Sequence, residues 1–394
     1  MLEKTNNIAE EYVKIVNDNL FLREFTFSRN ELKPNEKDEI ELADNIVWLD
    51  EILFLIQIKW RNDSSAGTEE NEVKWFNNKV LKKAKSQIKK TIKYFENFSN
   101  LEIENGRGFK VNLSEAPISN AKKIIIYLPS DRLPEKEKFL KFYNSQEIGL
   151  IHIFNFEDYR WICQYLITPC EIVRFFDFRE NMFELFGEII NSIPEQLILG
   201  KFLSGDEINE INAKYIEYLH RFEDDIDEFD ISPFLQNFYS KTTIQNFKTD
   251  YIPIVKEMAK LSRFELKEFK RRLLRSIEKS KSKGYTIPYR ITFPRTKVGF
   301  VFIPISIGDE AHLKNWKNAL INFTLAHKYD QELDRAIGVT IFRSERNEEY
   351  IEIQWGFIDF VWERDENMEN LLKKDFPFRE VKLKKVGDYK FKEE

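Results

Sequence analysis

The stretch Glu41–Arg61, ELADNIVWLDEILFLIQIKWR, constrains the fold of this chain more than any other. Two apolar runs meet at Asp50-Glu51, the pattern of two strands joined by a tight turn. A two-residue turn fixes the register, because paired residue numbers then sum to about 101. Leu49 faces Ile52, Trp48 faces Leu53, Ile46 faces Leu55, and Asp44 falls opposite Gln57. Opposed residues share one face of a sheet, with Cβ atoms about 4.5–5.5 Å apart. Alternation therefore puts Leu53, Leu55, Gln57 and Lys59 on the face of Asp44, Ile46 and Trp48. The apolar end of that face packs. Its polar end gathers a carboxylate, an amide oxygen and an ammonium.

A hard divalent cation such as Mg²⁺ takes oxygen ligands, keeps several waters and needs only one or two protein carboxylates. Asp44 offers the carboxylate, Gln57 an amide oxygen, and Ile58 its backbone carbonyl. Lys59, one same-face step beyond Gln57, is placed to orient or deprotonate a metal-bound water, or to offset charge on a phosphate in flight. A neutral Gln57 leaves such a site short of negative charge. Glu41 and Glu10 are the candidates to complete it, although three-residue spacing sends Glu41 to the opposite strand face unless a bulge re-aims it.

Asp44 followed by Gln57-Ile58-Lys59 resembles the PD-(D/E)xK nuclease superfamily, in the version with Gln in place of the second acid. The likeness continues in order along the chain: Ala9-Glu10 in the first helix, Glu41 to Asp44, the Gln-x-Lys strand, a basic helix, Ile151–Phe154, and Thr168-Pro169 through Arg179. This order resembles an uncharacterised branch of these nucleases, and Met258–Ile277 is similar to the carboxy-terminal half of that branch. The resemblance implies a restriction-endonuclease-like α/β core, with a mixed central sheet flanked by helices. It also implies Mg²⁺- or Mn²⁺-dependent hydrolysis of DNA, with RNA as the alternative substrate, in restriction or antiviral defence. A homodimer or a defence-system partner protein is the assembly that goes with it. A first-helix glutamate commonly supplements the strand residues in these folds, which is the role given to Glu10; an ordinary solvent-facing helix residue is the competing reading.

Between Glu72 and Phe98 the spacing predicts a long helix with an apolar stripe of Val73, Val80, Ala84, Ile88, Ile92 and Phe95. Its lysines lie off that stripe. Lys82, Lys85 and Lys89 are the expected contacts to a phosphate backbone, where each neutralised phosphate releases counterions. Gln87 matches a polar position often near the site in such folds. A net charge of −6 still excludes wholesale coating of nucleic acid and requires the positive charge to be concentrated on one face.

Lys123–Leu128 and Gly149–Phe154 read as buried strands, and His152 within the second as a satisfied core residue. Arg174 and Arg179 read as salt-bridge formers. Ser28–Lys37 reads as a loop, and Glu223–Asp230 as a solvated acidic turn or a partner-facing patch. Tyr251–Ser282 is helical, with a second basic run from Lys267 to Lys281. Four strands follow, with a helix around His312–His327 between the second and third. The expected organisation is a nuclease-like domain over 1–185, a mainly helical connection over 186–284, and an α+β domain over 285–394.

The first twenty residues lack the apolar segment of a signal peptide, and no run approaches the ~18 apolar residues of a spanning helix. Cys163 and Cys170 show no metal spacing and suit a reducing cytoplasm. The rival to an active nuclease is a degenerate nuclease fold that binds nucleic acid without cutting it, or an interaction protein whose basic helices meet acidic partners.

Overall fold

The computed structural model describes residues 8–28, 31–35, 38–61, 67–205, 210, 212–241, 248–344 and 350–380. The chain divides into two compact units, Met1–Asp224 with Ser232–Lys241, and Asp225–Ile231 with Thr242–Glu394.

The first unit holds strands β1 (Thr26–Ser28), β2 (Glu31–Asn35), β3 (Asp38–Glu41), β4 (Asn45–Leu49), β5 (Ile52–Trp60), β6 (Glu102–Glu104), β7 (Lys110–Asn112), β8 (Lys122–Leu128), β9 (Phe142–Ser145) and β10 (Gly149–Asn155). Six of them form a mixed sheet in the order β1-β4-β5-β8-β10-β9. Strands β5, β8 and β10 run parallel, and β1, β4 and β9 pair antiparallel. The near-continuous apolar sequence of β8 fits its central place, since a strand covered on both faces needs no polar side. The β2–β3 and β6–β7 pairs are separate two-stranded ribbons. Strand β2 lies in the segment whose polar composition and proline read as loop. Its pairing with β3 is a tertiary choice that side-chain pattern did not announce.

Helices α1 (Ile8–Leu20), α2 (Glu69–Trp75), α3 (Ala84–Asn97), α4 (Glu135–Lys138), α5 (Phe156–Tyr165), α6 (Pro169–Phe186) and α7 (Glu195–Ser204) complete most of this unit. Between α2 and α3, Phe76–Lys83 winds as a π-helix. Phe76 and Val80 within it and Ala84 and Ile88 in α3 recur every four residues, and all four are buried in one cluster.

Residues of β5 alternate between two covered faces. Leu53 and Leu55 pack with Ile46, Leu113 and Phe95 of α3. Further along the same face, Ile125, Tyr127, Ile151 and Ile153 pack under Phe76, Val80, Ala84 and Ile88. The opposite face meets α1 and α6, with Phe54 against Phe21 and Phe176 at ring separations of 5.2 and 5.4 Å. Burying one such side chain contributes about 1.5–3 kcal/mol. Thr168 caps α6, with Pro169 in its first turn, which sets the break between α5 and α6 where the sequence places it.

Helices α8 (Tyr215–Phe229) and α9 (Ser232–Lys241) follow, and the division between units falls within α8. The second unit contains α10 (Ile252–Ala259), α11 (Arg263–Ser280), β11 (Tyr289–Phe293), β12 (Val298–Pro304), α12 (Glu310–Lys314), α13 (Trp316–Asp330), β13 (Arg335–Arg343), β14 (Ile351–Asp359) and α14 (Glu366–Lys374). Its four strands form one sheet in chain order, with β12 and β13 parallel. The helical region between 186 and 284 is therefore shared by the two units. Glu195 at the start of α7 bonds Arg179 of α6, whereas Phe269 of α11 packs on Phe300 and Phe302 of β12.

The acidic stretch before Ile231 is helical up to Phe229, and among its described side chains Glu228 pairs with Lys267 of α11. Lys270 donates to the carbonyls of Asp227 and Asp230 at 2.6 and 2.9 Å. Part of the second basic run thus spends its charge within the second unit. Among the described residues no helix is long and apolar enough to cross a membrane.

Candidate metal and nucleic-acid site

The hairpin register is the expected one, from Asn45↔Ile56 to Leu49↔Ile52, with Asp50 turning at φ 49°. A positive φ is what the favoured two-residue turns require, and Asp tolerates it. The ladder stops at Asn45. Asp44 lies at a bend just before it, and its carboxylate takes over from the backbone: Oδ2 accepts from Ile58 N at 2.6 Å. This bond turns the carboxylate toward the end of β5.

Lys59 joins the group together. Its Nζ donates to Ile58 O at 2.9 Å, Gln57 Oε1 at 3.1 Å and Asp44 Oδ2 at 3.3 Å. The three oxygens read from the sequence as cation ligands thus surround one positive centre, the lysine's own ammonium. The cluster is well shielded, with side-chain exposures of 7% for Asp44 and 13% for Lys59, and Gln57 is fully buried. Gln57 Nε2 has no hydrogen-bond partner among the described residues. Its amide has turned the oxygen to the cation and left the nitrogen unpaired, at a penalty of about 1–3 kcal/mol for a buried donor. No protein-family model, curated protein or solved structure matches this chain.

The donor set consists of hard oxygens with one carboxylate, which is the kind Mg²⁺ or Mn²⁺ takes. Among the described residues no group of three His, Cys, Asp or Glu side chains stands ready to hold a metal, so the set contains little negative charge. Glu10 is exposed on α1, the helix that packs on the sheet face opposite Asp44, Gln57 and Lys59. Glu41 ends β3, opposite Glu31, and its side chain lies outside the described residues.

Sequence reasoning passed over another acid. Glu72, in the first turn of α2, is fully buried and ion-pairs with Arg61, which lies two residues beyond Lys59. The continued alternation Gln57, Lys59, Arg61 was the available signal.

The helical lysines are less free than their sequence implies. Lys85 lies 3.4 Å from Glu147, in the turn between β9 and β10, and Lys89 bonds the same carboxylate. Lys82 is exposed. Gln87 is half-buried, and its Oε1 has no hydrogen-bond partner among the described residues.

Arg179 and His152 sit in a buried network on the other side of the sheet. Arg179 binds Glu195 through Nε at 2.8 Å and Nη2 at 3.2 Å, a bidentate pair. Its Nη1 donates to His152 Nδ1 at 3.2 Å, and since a guanidinium only donates, that nitrogen is the acceptor. His152 therefore carries its proton on Nε2 and gives it to Glu180 Oε1 at 2.8 Å. Burial pushes His152 down to about 4, with the Glu180 hydrogen bond pulling partly back. Burial alone would raise Glu180; the bonds from His152 and Lys122 outweigh it and hold the carboxyl at about 2. Both residues are the structural pair that an apolar strand and a buried arginine lead one to expect.

Proposed function

We propose that this chain is a metal-dependent nuclease of restriction-endonuclease-like fold that hydrolyses DNA phosphodiester bonds at the Asp44–Gln57–Lys59 cluster. The observation that carries the reading is the convergence of Asp44 Oδ2, Gln57 Oε1 and Ile58 O on one cationic centre. Its place supports the reading too, near the carboxyl end of the parallel strand β5, where open α/β sheets bind ligands. Asp44, Gln57 and the Ile58 carbonyl would hold Mg²⁺ or Mn²⁺. A bound ion supplies Lewis acidity and lowers the pKa of a coordinated water. Asp44 keeps the end of β5 in position through Ile58 N. Lys59 orients the attacking water or balances charge on the phosphoryl oxygens as the P–O bond breaks. Lys82, Lys85 and Lys89 would track the backbone without reading sequence. Defence against foreign DNA is the setting that the fold resemblance alone suggests.

A second reading, a nuclease fold that binds nucleic acid without cutting it, is favoured by the neutral Gln57 and by the three acceptors already engaged by Lys59. Incubation of purified protein with plasmid DNA or RNA under EDTA, Mg²⁺ or Mn²⁺ separates the two. Metal-dependent cutting that Asp44→Asn and Lys59→Met both abolish supports the nuclease. A salt-dependent gel shift without cutting under any metal supports the binding module.

A further inference from the structure

The second unit contains an open cavity of about 720 Å³, within the range of small-molecule sites. Its walls come from α13, from the segment between β14 and α14, and from the first turn of α14, chiefly Leu325, Tyr329, Phe360, Trp362 and Met368. Lys328 also lines it, at only 2% exposure. Among the described residues its ammonium has no hydrogen bond and no ion pair; the Phe360 ring lies 3.7 Å away. The Lys328 stem is buried while its ammonium meets the cavity without an acceptor, and desolvation pushes its pKa down, with Asp334 and Asp359 pulling partly back.

Trp362, Tyr329 and Arg364 in the wall are already paired. Trp362 donates through N to Asp334 Oδ1 at 2.8 Å and through Nε1 to the Tyr329 carbonyl at 3.1 Å. Tyr329 donates its hydroxyl to Asp365 O at 3.0 Å and accepts from Asp365 N at 2.9 Å. Arg364 is bound bidentately by Glu369, at 2.8 and 3.3 Å. One positive charge is left over, with the carboxylates of Glu363 and Glu366 at the rim, in a pocket with prebuilt aromatic walls.

We propose that this cavity binds a small aromatic carboxylate, its anion on Lys328 and its ring against Phe360 and Trp362. A single negative charge matches the single spare ammonium through a charge-assisted hydrogen bond in an apolar setting. The rim selects against more. Glu363 and Glu366 line it, so a phosphate dianion or a nucleic-acid strand meets like charge. Aromatic faces accept a flat ring in offset or edge-on stacking.

Calorimetric titration of the full-length protein with indole-3-acetate, 3-ethylindole, inorganic phosphate and AMP tests this. Saturable binding of indole-3-acetate is expected, with each of the others weaker by about tenfold or more, the value of one hydrogen bond to a charged group. Lys328→Met should lose about tenfold or more, and Lys328→Arg should retain most of the affinity. Equal affinity for 3-ethylindole, an unaffected Lys328→Met, tighter binding of phosphate or AMP, or no saturable binding of indole-3-acetate at millimolar concentration each overturns the proposal. Should Lys328→Met fail to fold, the four probes on the parent protein decide the matter alone.

Discussion

Replacing Arg179 with leucine tests how the first unit is held together. The guanidinium is fully buried and donates to both oxygens of Glu195, to His152 Nδ1, and to the carbonyls of Lys141 and Ile153 at 3.1 and 3.2 Å. It also lies 4.5 and 4.1 Å from the ring centroids of Phe142 and Phe154. Leucine removes all of these contacts at once. Glu195 would stay buried with Lys141 Nζ, 3.5 Å away, as its remaining cation. Removing one member of a buried ion pair costs about 3–5 kcal/mol, because the other charge is left uncompensated. Against a domain stability of about 5–15 kcal/mol, that is a large fraction. Urea unfolding by circular dichroism, with hydrogen exchange at β10 amides to isolate the first unit, reads the loss. Arg179→Leu/Glu195→Leu should recover about 2 kcal/mol or more, since replacing both charges with apolar groups leaves none unpaired. The deficit of the single variant should also shrink at acid pH, where Glu195 can take up a proton. A loss below about 1 kcal/mol, or a double variant no better than the single, refutes this account of the network.

Gln57→Glu adds the charge the oxygen cluster lacks and should tighten Mn²⁺ binding about tenfold; unchanged affinity by calorimetry removes Gln57 from the ligand set. Glu147→Gln releases Lys85 and Lys89, so DNA affinity should rise at low salt and the log–log salt slope should steepen by up to about 2. A flat response assigns those lysines to a solvated face. Between pH 6.5 and about 4, unfolded His152 takes a proton that the folded residue refuses, so stability of the first unit should fall with acidification, by up to about 3 kcal/mol. Asp158, pushed up to about 6 by burial, works the opposite way below that pH. His152→Phe should flatten the His152 contribution, and an unchanged pH profile would show that His152 is not its source.

The hairpin was legible because every constraint on it is local. Turn length sets the register, alternation sets the faces, and the structure pairs Asn45–Leu49 with Ile52–Ile56 as arithmetic requires. The side to which Lys59 points followed from the same rule. The runs Lys123–Leu128 and Gly149–Phe154 announced the buried strands that span Lys122–Leu128 and Gly149–Asn155, and Thr168-Pro169 announced a helix start, for equally local reasons. Tertiary structure decided what each charge meets. Glu147 reaches Lys85 and Lys89 from a turn about sixty residues later, and Glu195 reaches Arg179 from a different helix. No periodicity encodes such pairings, because they depend on which elements the sheet order brings together. The same holds for Glu10. Its helix was readable, but the sheet face that helix covers was settled by Phe21, Phe54 and Phe176 packing together across long sequence separations. Local pattern fixed which residues share a strand face, and long-range packing fixed which charges remain available for chemistry.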